Sequence, residues 1–325
     1  MAQACIDLAG LENADIEREQ VANLVQAFGR YGVVKVKNHG FSDQQLEQLF
    51  AWSKEFFSWP ELVKESANRK RTGPFRGYAG VGLESIGVPA PDSVAMKDVK
   101  ESFDCGSPKD QRYPTPWPCG HARCGEFRVF MQDFYQDCER VHGQLLTLFE
   151  QAFGLRAGDL CELCSEGNGE VRLAYYPEIP VAELRTGTTF RIAEHRDIGV
   201  LTLLFQDSIG GLETEDPDRP GHFLPVSSAH PREMLLMVGE TLDRWTGQTF
   251  RSIKHRVKDP PDSQVGSILS ERYAVGFFGK ANSAASIAPL PSFHVAASNK
   301  GRSLGDESET AQEFYNLAHE QTTAT

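Results

Sequence analysis

Helical periodicity marks the first half of the chain and its last segment. In residues 15–28 apolar side chains recur every three or four positions, which predicts an amphipathic helix. A second helix is predicted to begin after Ser42, which together with Gln45 resembles a capping box. The same period predicts a long helix over residues 126–153 and a final helix around residues 311–318. The long helix is large enough to be the backbone of the whole fold.

Strand periodicity takes over at about residue 171. Short apolar and β-branched runs, separated by Gly, Pro and Asp turns, continue to about residue 278, and many short strands at this spacing indicate a sandwich or a barrel. The candidate strands are VRLAYY, TTFRIAEH, VLTLLFQ, LETE, HFLPV, EMLLMVG, RSIKHRV and RYAVGFF. Other short strands are predicted at residues 6–8, 32–36 and 101–105, and the Gly- and Pro-rich residues 73–91 are predicted to form a loop.

These patterns divide the chain into four predicted regions. A mixed α/β region covers residues 1–110, and a loop with the long helix covers residues 111–170. The strand-rich core covers residues 171–280, and a C-terminal segment with the final helix covers residues 281–325. We find no internal repeat, and no feature of the sequence specifies an oligomeric state.

Composition and charge narrow the function classes. The formal charge of −12 and the pI of about 5.3 argue against a nucleic-acid partner, since phosphates favour a basic surface. No apolar run is long enough to span a bilayer, and the first ten residues do not resemble a signal peptide. We therefore expect a cytoplasmic protein with a small-molecule substrate and no membrane partner.

The seven cysteines are expected to be reduced thiols. Cys161 and Cys164, or Cys119 and Cys124 with His121 between them, offer a conceivable zinc site. Structural zinc sites use tighter paired knuckles, and the first pair lies in a helical pattern where such spacing is common. We therefore interpret these cysteines as structural.

The candidate chemistry centres on one predicted strand, TTFRIAEH, and the residues after it. His195 and Asp197 are two positions apart, so on a strand they would point to the same face. A second predicted strand, RSIKHRVK, supplies His255. Two histidines and one carboxylate form the facial triad that suits non-haem Fe(II) and oxygen chemistry. A plain hydrogen-bonded His–Asp pair is the structural alternative.

The order of motifs resembles one family, the 2-oxoglutarate- and Fe(II)-dependent dioxygenases of the isopenicillin N synthase-like group. The resemblance covers nearly the whole chain. It rests on YGVVKVKNHGF, FFSWPELVKE, RGYAGVGLES and KESFDCG in the N-terminal part, and on RLAYYP, HRD, GGLE, MLLMVGETLDRWTGQTFRSIKHRV and RYAVGFF in the C-terminal part. It implies a mainly β fold, a double-stranded β-helix (jelly roll) with flanking helices and an N-terminal α/β region packed on it.

The resemblance also assigns roles by position. His195, Asp197 and His255 would bind iron, and no catalytic residue is expected beyond these ligands. Arg272 would pair with the distal carboxylate of 2-oxoglutarate, and the hydroxyl of Tyr176 would help to hold the same co-substrate. Two positions depart from the family pattern: Ala274 stands where the family usually has Ser, and Ala174 where it has Asn. We expect 2-oxoglutarate binding to survive these losses in weakened form.

Strand alternation suggests substrate-binding residues as well. Arg191 shares the parity of His195, and Arg172 shares that of Tyr176, so both would face the interior. A buried arginine is costly unless it meets an anion, which suggests that both bind an acidic or phenolic oxygen of the substrate. Pairing with an internal Asp or Glu, or a register slip toward solvent, is the structural alternative for each.

The expected function is that of an oxygenase of secondary metabolism. With Fe(II), 2-oxoglutarate and O2, the family oxidises a small metabolite and releases succinate and CO2. Hydroxylation, desaturation, ring closure and ring expansion are the possible outcomes. Two alternatives stay open at this point: an oxidase of the isopenicillin N synthase type that needs no 2-oxoglutarate, and a metal-binding module without turnover.

Overall fold

An eight-stranded sheet and a four-stranded sheet face each other in this computed structural model, which describes residues 5–11, 13–69, 76–82, 97–186, 188–226, 232–294 and 308–323. The strands are β1 (Cys5–Asp7), β2 (Val33–Lys37), β3 (Gly77–Ala79), β4 (Lys97–Asp98), β5 (Glu101–Gly106), β6 (Glu170–Tyr176), β7 (Ile179–Pro180), β8 (Thr189–Phe190), β9 (Ile192–His195), β10 (Leu201–Gln206), β11 (Leu212–Glu215), β12 (Phe223–Pro225), β13 (Met234–Val238), β14 (His255–Val257), β15 (Ile268–Leu269) and β16 (Arg272–Gly279). The large sheet has the order β1-β2-β13-β10-β16-β6-β5-β3, and the small sheet has the order β12-β11-β14-β9. This arrangement confirms the mainly β fold.

The helices, except for the short helix Val181–Leu184 that contacts β7 and β8, pack on the outer face of the large sheet. They are α1 (Ala14–Tyr31), α2 (Asp43–Ser58), α3 (Glu61–Glu65), α4 (Cys124–Phe153), α5 (Asp159–Leu163), α6 (Val181–Leu184), α7 (Glu240–Trp245) and α8 (Ala311–Thr323). The 30-residue helix α4 buries a stripe of large apolar side chains that includes Phe127, Phe134 and Phe149, as its sequence period predicts. Within the described residues, no helix combines the length and apolarity needed to cross a membrane.

Two apolar layers hold the sheets in place. The outer layer joins the helices to the large sheet and contains the odd-numbered residues Leu201, Leu203 and Phe205 of β10. The inner layer lies between the sheets, where Tyr176 and Ala274 of the large sheet meet residues of the small one. Because side chains alternate along a strand, the even-numbered residues of β10 belong to this inner side. The functional site lies on this inner side.

The N-terminal region extends the large sheet. Strand β2 pairs antiparallel with β13, with Val33 opposite Met237, and β1 adds parallel to β2. On the other side, β5 pairs with β6, with Asp104 opposite Arg172. Residues from the predicted region 1–110 thus complete the sheet that carries the site.

Local signals in the sequence are confirmed in part. The hydroxyl of Ser42 accepts a hydrogen bond from the backbone N–H of Gln45, as a capping box requires. The Gln45 side chain does not return this bond; its amide donates to Asp137 of α4 instead. Of the loop predicted over residues 73–91, only residues 76–82 are described, and they include strand β3. The strand predicted from RSIKHRVK is shorter than expected and begins at His255.

Candidate metal centre and co-substrate pocket

The three residues predicted to bind iron lie together between the two sheets. His195 ends β9, His255 begins β14, and the two are opposite each other in the ladder. Their Nε2 atoms lie 3.8 and 3.7 Å from Oδ1 of Asp197. Among the described residues this is the one group of three possible ligands whose atoms all lie within 4.8 Å of one another. None of the cysteines considered for a zinc site belongs to such a group among the described residues.

Backbone carbonyls orient both imidazoles. Nδ1 of His195 lies 2.9 Å from the carbonyl oxygen of Ala193, and Nδ1 of His255 lies 3.2 Å from that of Ile253. A proton on Nδ1 that is donated to the carbonyl leaves the lone pair of Nε2 free for a metal. Burial, and next the neighbouring His255, lower the pKa of His195 well below its ordinary value. Neutral imidazoles with Nε2 turned inward are the form that binds a divalent metal.

Asp197 is positioned differently from the prediction. Strand β9 ends at His195, so Asp197 lies in the turn after the strand and alternation does not set its direction. Its carbonyl oxygen accepts a 2.7 Å hydrogen bond from the backbone N–H of Glu240. Its Oδ2 accepts a 2.6 Å hydrogen bond from the hydroxyl of Thr202. These bonds leave Oδ1 directed at the two histidines.

The two predicted co-substrate residues are also brought together. Arg272 begins β16 and lies opposite Tyr176 of β6, with its guanidinium 4.9 Å from the centre of the tyrosine ring. Arg272 is 1% exposed, and its Nη2 donates a 2.6 Å hydrogen bond to the side-chain oxygen of Gln206. Its Nε and Nη1 are buried and have no hydrogen-bond partner within the described residues. The charge of this arginine is not neutralised at hydrogen-bonding distance by any acidic group in the described part of the chain.

Arg191 is buried beside the same tyrosine. It is 0% exposed, and its guanidinium lies 6.0 Å from the centre of the Tyr176 ring. Nη2 donates to the carbonyl oxygens of Ser270 and Pro177, whereas Nε and Nη1 lack partners within the described residues. Burial, and next the charge of Arg272, lower the pKa of Arg191 to about 10, so it stays charged at neutral pH. The Arg191 side chain is therefore buried at the end of the site where Tyr176 and Arg272 lie.

Arg172 lies on a different side of the metal centre. Its Nε and Nη2 make 2.7 and 2.9 Å hydrogen bonds to the two oxygens of Asp104, which also pairs with Arg69. The charges of Arg172 and of the buried Lys100 contribute to the low pKa of His195, after burial and His255, and therefore lie close to it. The structure thus separates the two arginines for which the sequence suggests one role.

Two polar residues of the site, Thr202 and Gln206, were not predicted from the sequence. Both belong to LTLLFQ and lie on the inner face of β10. Their alternation with the apolar Leu203 and Phe205 could have indicated that they point toward the site. Gln206 is fully buried, and its amide nitrogen has no partner within the described residues. It lies opposite Ala274 in the ladder, where the family pattern has Ser.

Two protein-family models match separate parts of the chain. A family model described as the 2OG-Fe(II) oxygenase superfamily matches residues 167–280. A second, described as the non-haem dioxygenase in morphine synthesis N-terminal region, matches residues 4–120. The two models together cover both sheet-forming parts of the chain.

Relatives of high coverage carry related names. A protein named proline hydroxylase buaE, from Petromyces alliaceus, is 40% identical over 271 residues, which are 83% of this chain and 84% of that protein. A 2-oxoglutarate-dependent dioxygenase, imqE from Aspergillus flavus, is 35% identical over 316 residues, which are 89% and 86% of the two chains.

Solved structures share the architecture. The crystal structure of a full-length Neurospora crassa protein in complex with alpha-KG superposes with a TM-score of 0.84 at 26% identity, covering 98% of this chain and 94% of that one. The same Neurospora protein in complex with alpha-KG and thymine gives a TM-score of 0.82 at 25% identity, with coverage of 98% and 96%. The expected jelly-roll fold agrees with the architecture that the chain shares with these structures.

Proposed function

The chain belongs to the 2OG-Fe(II) oxygenase superfamily, and we propose that it oxidises a C–H bond of a small, acidic or phenolic secondary metabolite. The observation that carries this proposal is the pairing of a His-Asp-His cluster with two buried arginines that lack acidic partners within the described residues. The first feature suits Fe(II), and the second suits an anionic co-substrate. Relatives with assigned names are hydroxylases and 2-oxoglutarate-dependent dioxygenases of fungi, which supports secondary metabolism as the setting.

The donor set fits iron. His195, Asp197 and His255 provide two imidazole nitrogens and one carboxylate oxygen, and we propose that they are the metal ligands. Each ligand is oriented by a hydrogen bond of its own, to Ala193, Thr202 or Ile253. Ligands held in this way bind a metal without reorganisation.

The pocket beside the metal centre fits 2-oxoglutarate. We propose that Arg272 holds its distal carboxylate and that Tyr176 contributes its hydroxyl. The Nε and Nη1 of Arg272 are buried without partners in the described part of the chain, which is costly unless a ligand with two acceptor oxygens satisfies them. An oxidase without 2-oxoglutarate, or a module without turnover, would leave this cost without compensation. The oxygenase is therefore the better explanation.

The substrate side is proposed to lie near Arg172. Arg172 and Arg69 both pair with the carboxylate of Asp104, and the charges of Arg172 and Lys100 act on His195. Positive charge beside this proposed metal ligand favours an acidic or phenolic substrate. Two nitrogens of Arg172 already donate hydrogen bonds to Asp104. A substrate oxygen would therefore share the N–H groups of Arg172 with the Asp104 carboxylate.

Each residue has a defined task in the reaction. When bound, iron, 2-oxoglutarate and O2 supply an oxidant able to break a C–H bond, with succinate and CO2 as co-products. The protein's own residues bind and orient: Arg272 fixes one end of the co-substrate, Asp197 and the histidines face the other, and Arg172 orients the substrate. The inner apolar layer limits water at the reacting carbon. The cytoplasmic location expected from composition stays a prediction.

An activity assay tests the proposed substrate class. Succinate formation from 2-oxoglutarate is measured with Fe(II) and a panel of small carboxylic acids and phenols, together with the neutral amides of the acids and the methyl ethers of the phenols. We expect acids or phenols to stimulate turnover and their amides or ethers not to. Arg172→Gln should raise the KM for an active acid and leave the KM for 2-oxoglutarate unchanged. Arg185→Gln, which changes an exposed arginine, is the matched control and should change neither KM. Equal stimulation by the neutral amides or ethers would contradict the proposal.

A further inference from the structure

Two buried cations share one end of the barrel. The guanidinium centres of Arg191 and Arg272 are 6.0 and 4.9 Å from the same Tyr176 ring. Their recorded hydrogen bonds go to backbone carbonyls and to Gln206, and no ion pair within 4 Å joins either to an acidic group among the described residues. Asp207 is near enough to influence both arginines, but its oxygens accept hydrogen bonds from the backbone N–H groups of Tyr273 and Ile209. The described part of the chain thus leaves two positive charges close together without a direct counter-charge.

Such an arrangement is unfavourable in the absence of an anion. Like charges in a buried site repel each other, and an unpaired buried charge also loses its hydration. The repulsion is reflected in Arg191, since Arg272 is the second cause, after burial, of its lowered pKa. Four guanidinium nitrogens, Nε and Nη1 of each arginine, are buried without hydrogen-bond partners within the described residues. This set of donors is suited to a carboxylate with two oxygens.

The same pocket lacks the neutral donors expected from the family pattern. Ala274 and Ala174 face each other across β16 and β6, and neither side chain can donate a hydrogen bond. Gln206 lies opposite Ala274 on the other neighbouring strand, and its oxygen holds Arg272. Its buried amide nitrogen has no partner among the described residues. The pocket thus lacks the side-chain donors that Ser and Asn would supply at positions 274 and 174. It has instead nitrogens of Arg191, Arg272 and Gln206 that lack partners among the described residues.

We infer that Arg191 is a second arginine for the distal carboxylate of the co-substrate, with Gln206 as the residue that positions Arg272. This inference rests on the proposed function and deepens it. It replaces the expectation that Arg191 binds the primary substrate, because Arg191 lies beside Tyr176 and Arg272 instead of beside Arg172. The pocket would therefore select a dicarboxylic 2-oxo acid through charge more than through neutral hydrogen bonds.

Direct binding tests the assignment without turnover. Manganese-loaded protein is titrated, without oxygen, with 2-oxoglutarate and with 2-oxopentanoate, which has the same chain length but no distal carboxylate. Wild-type protein should prefer 2-oxoglutarate strongly. Arg191→Gln should lose about tenfold or more in affinity for 2-oxoglutarate, the typical effect of removing a charge-assisted hydrogen bond, and keep its affinity for 2-oxopentanoate. Arg185→Gln should change neither.

The outcomes separate this inference from the proposed function. Retained binding of 2-oxopentanoate shows that Arg191→Gln is folded, and Arg191→Met repeats the test without a buried amide. Unchanged affinity for 2-oxoglutarate in these variants would overturn the role of Arg191 while the proposed function stands. An equal loss for both acids would show a merely structural role. If metal-loaded wild-type protein binds neither acid, the proposed function fails and this inference fails with it.

Discussion

The hydroxyl of Thr202 donates a 2.6 Å hydrogen bond to one oxygen of Asp197 and leaves the other oxygen facing two histidines. Thr202 is 1% exposed, so this bond forms away from solvent. It fixes the carboxylate in the orientation of a single-oxygen ligand although Asp197 lies outside any strand. The metal centre therefore depends on a residue of the neighbouring sheet as much as on its own ligands.

Replacing Thr202 by Val should weaken metal binding. The substitution keeps the shape and removes the donor, and loss of such a supporting bond typically costs about 10- to 100-fold in metal affinity. Thr202→Ser, which retains the hydroxyl, should bind nearly as well as wild type. Calorimetric titration with Fe(II) or Co(II) measures the effect, and equal affinities for the two variants would contradict it.

Asp197→Ala should abolish both metal binding and turnover while the fold persists. The side chain contributes little apolar contact, so circular dichroism and thermal melting should stay close to wild type. Glu194→Ala removes an exposed carboxylate from the strand that carries His195 and is the matched control. Full activity of Asp197→Ala would disprove the iron assignment.

Ala274→Ser should restore part of the affinity that Arg191→Gln loses. A serine at this position adds a hydroxyl donor next to Gln206, where the family pattern has one. One neutral hydrogen bond contributes about 1 kcal/mol, or roughly fivefold in affinity for 2-oxoglutarate. Titration of the single and double variants measures this gain. No gain in the double variant would show that residue 274 does not face the carboxylate.

Acid should destabilise the protein partly through His142. This residue of α4 is buried against Phe277, and burial lowers its pKa from 6.5 to about 4. Between these values the unfolded chain binds more protons, so stability falls as the pH falls through this window, by up to about 3 kcal/mol. Denaturant titrations from pH 7 to pH 4 should show a weaker pH dependence for His142→Phe. An unchanged dependence would exclude His142 as the cause.

Much of the fold was predictable because local signals and the tertiary structure agree. The stripe on α4, the Ser42 cap and the alternation in LTLLFQ all specify elements that the sheets then use. The spacing of His195 and Asp197, together with the resemblance to the dioxygenase family, likewise pointed to the three metal ligands proposed here.

Other features depend on how strands are aligned, which spacing does not reveal. Alternation from His195 predicts that Arg191 points inward, but Arg191 lies between β8 and β9, and the register of β9 with β14 shifts between His255 and Val257, so alternation does not set its direction. Arg172 meets Asp104 only because β5 pairs with β6 in one particular register. The turn that carries Asp197 is likewise fixed by tertiary bonds, to Thr202 and Glu240.

The most direct test of the account is an anaerobic titration of the Fe(II)-loaded protein with 2-oxoglutarate. A visible charge-transfer band between iron and the keto acid reports the co-substrate on the metal. We expect this band to appear and to saturate for wild-type protein, and to be absent for Asp197→Ala. Iron binding without any band at saturating 2-oxoglutarate would contradict the central claim that this chain is a 2-oxoglutarate-dependent oxygenase.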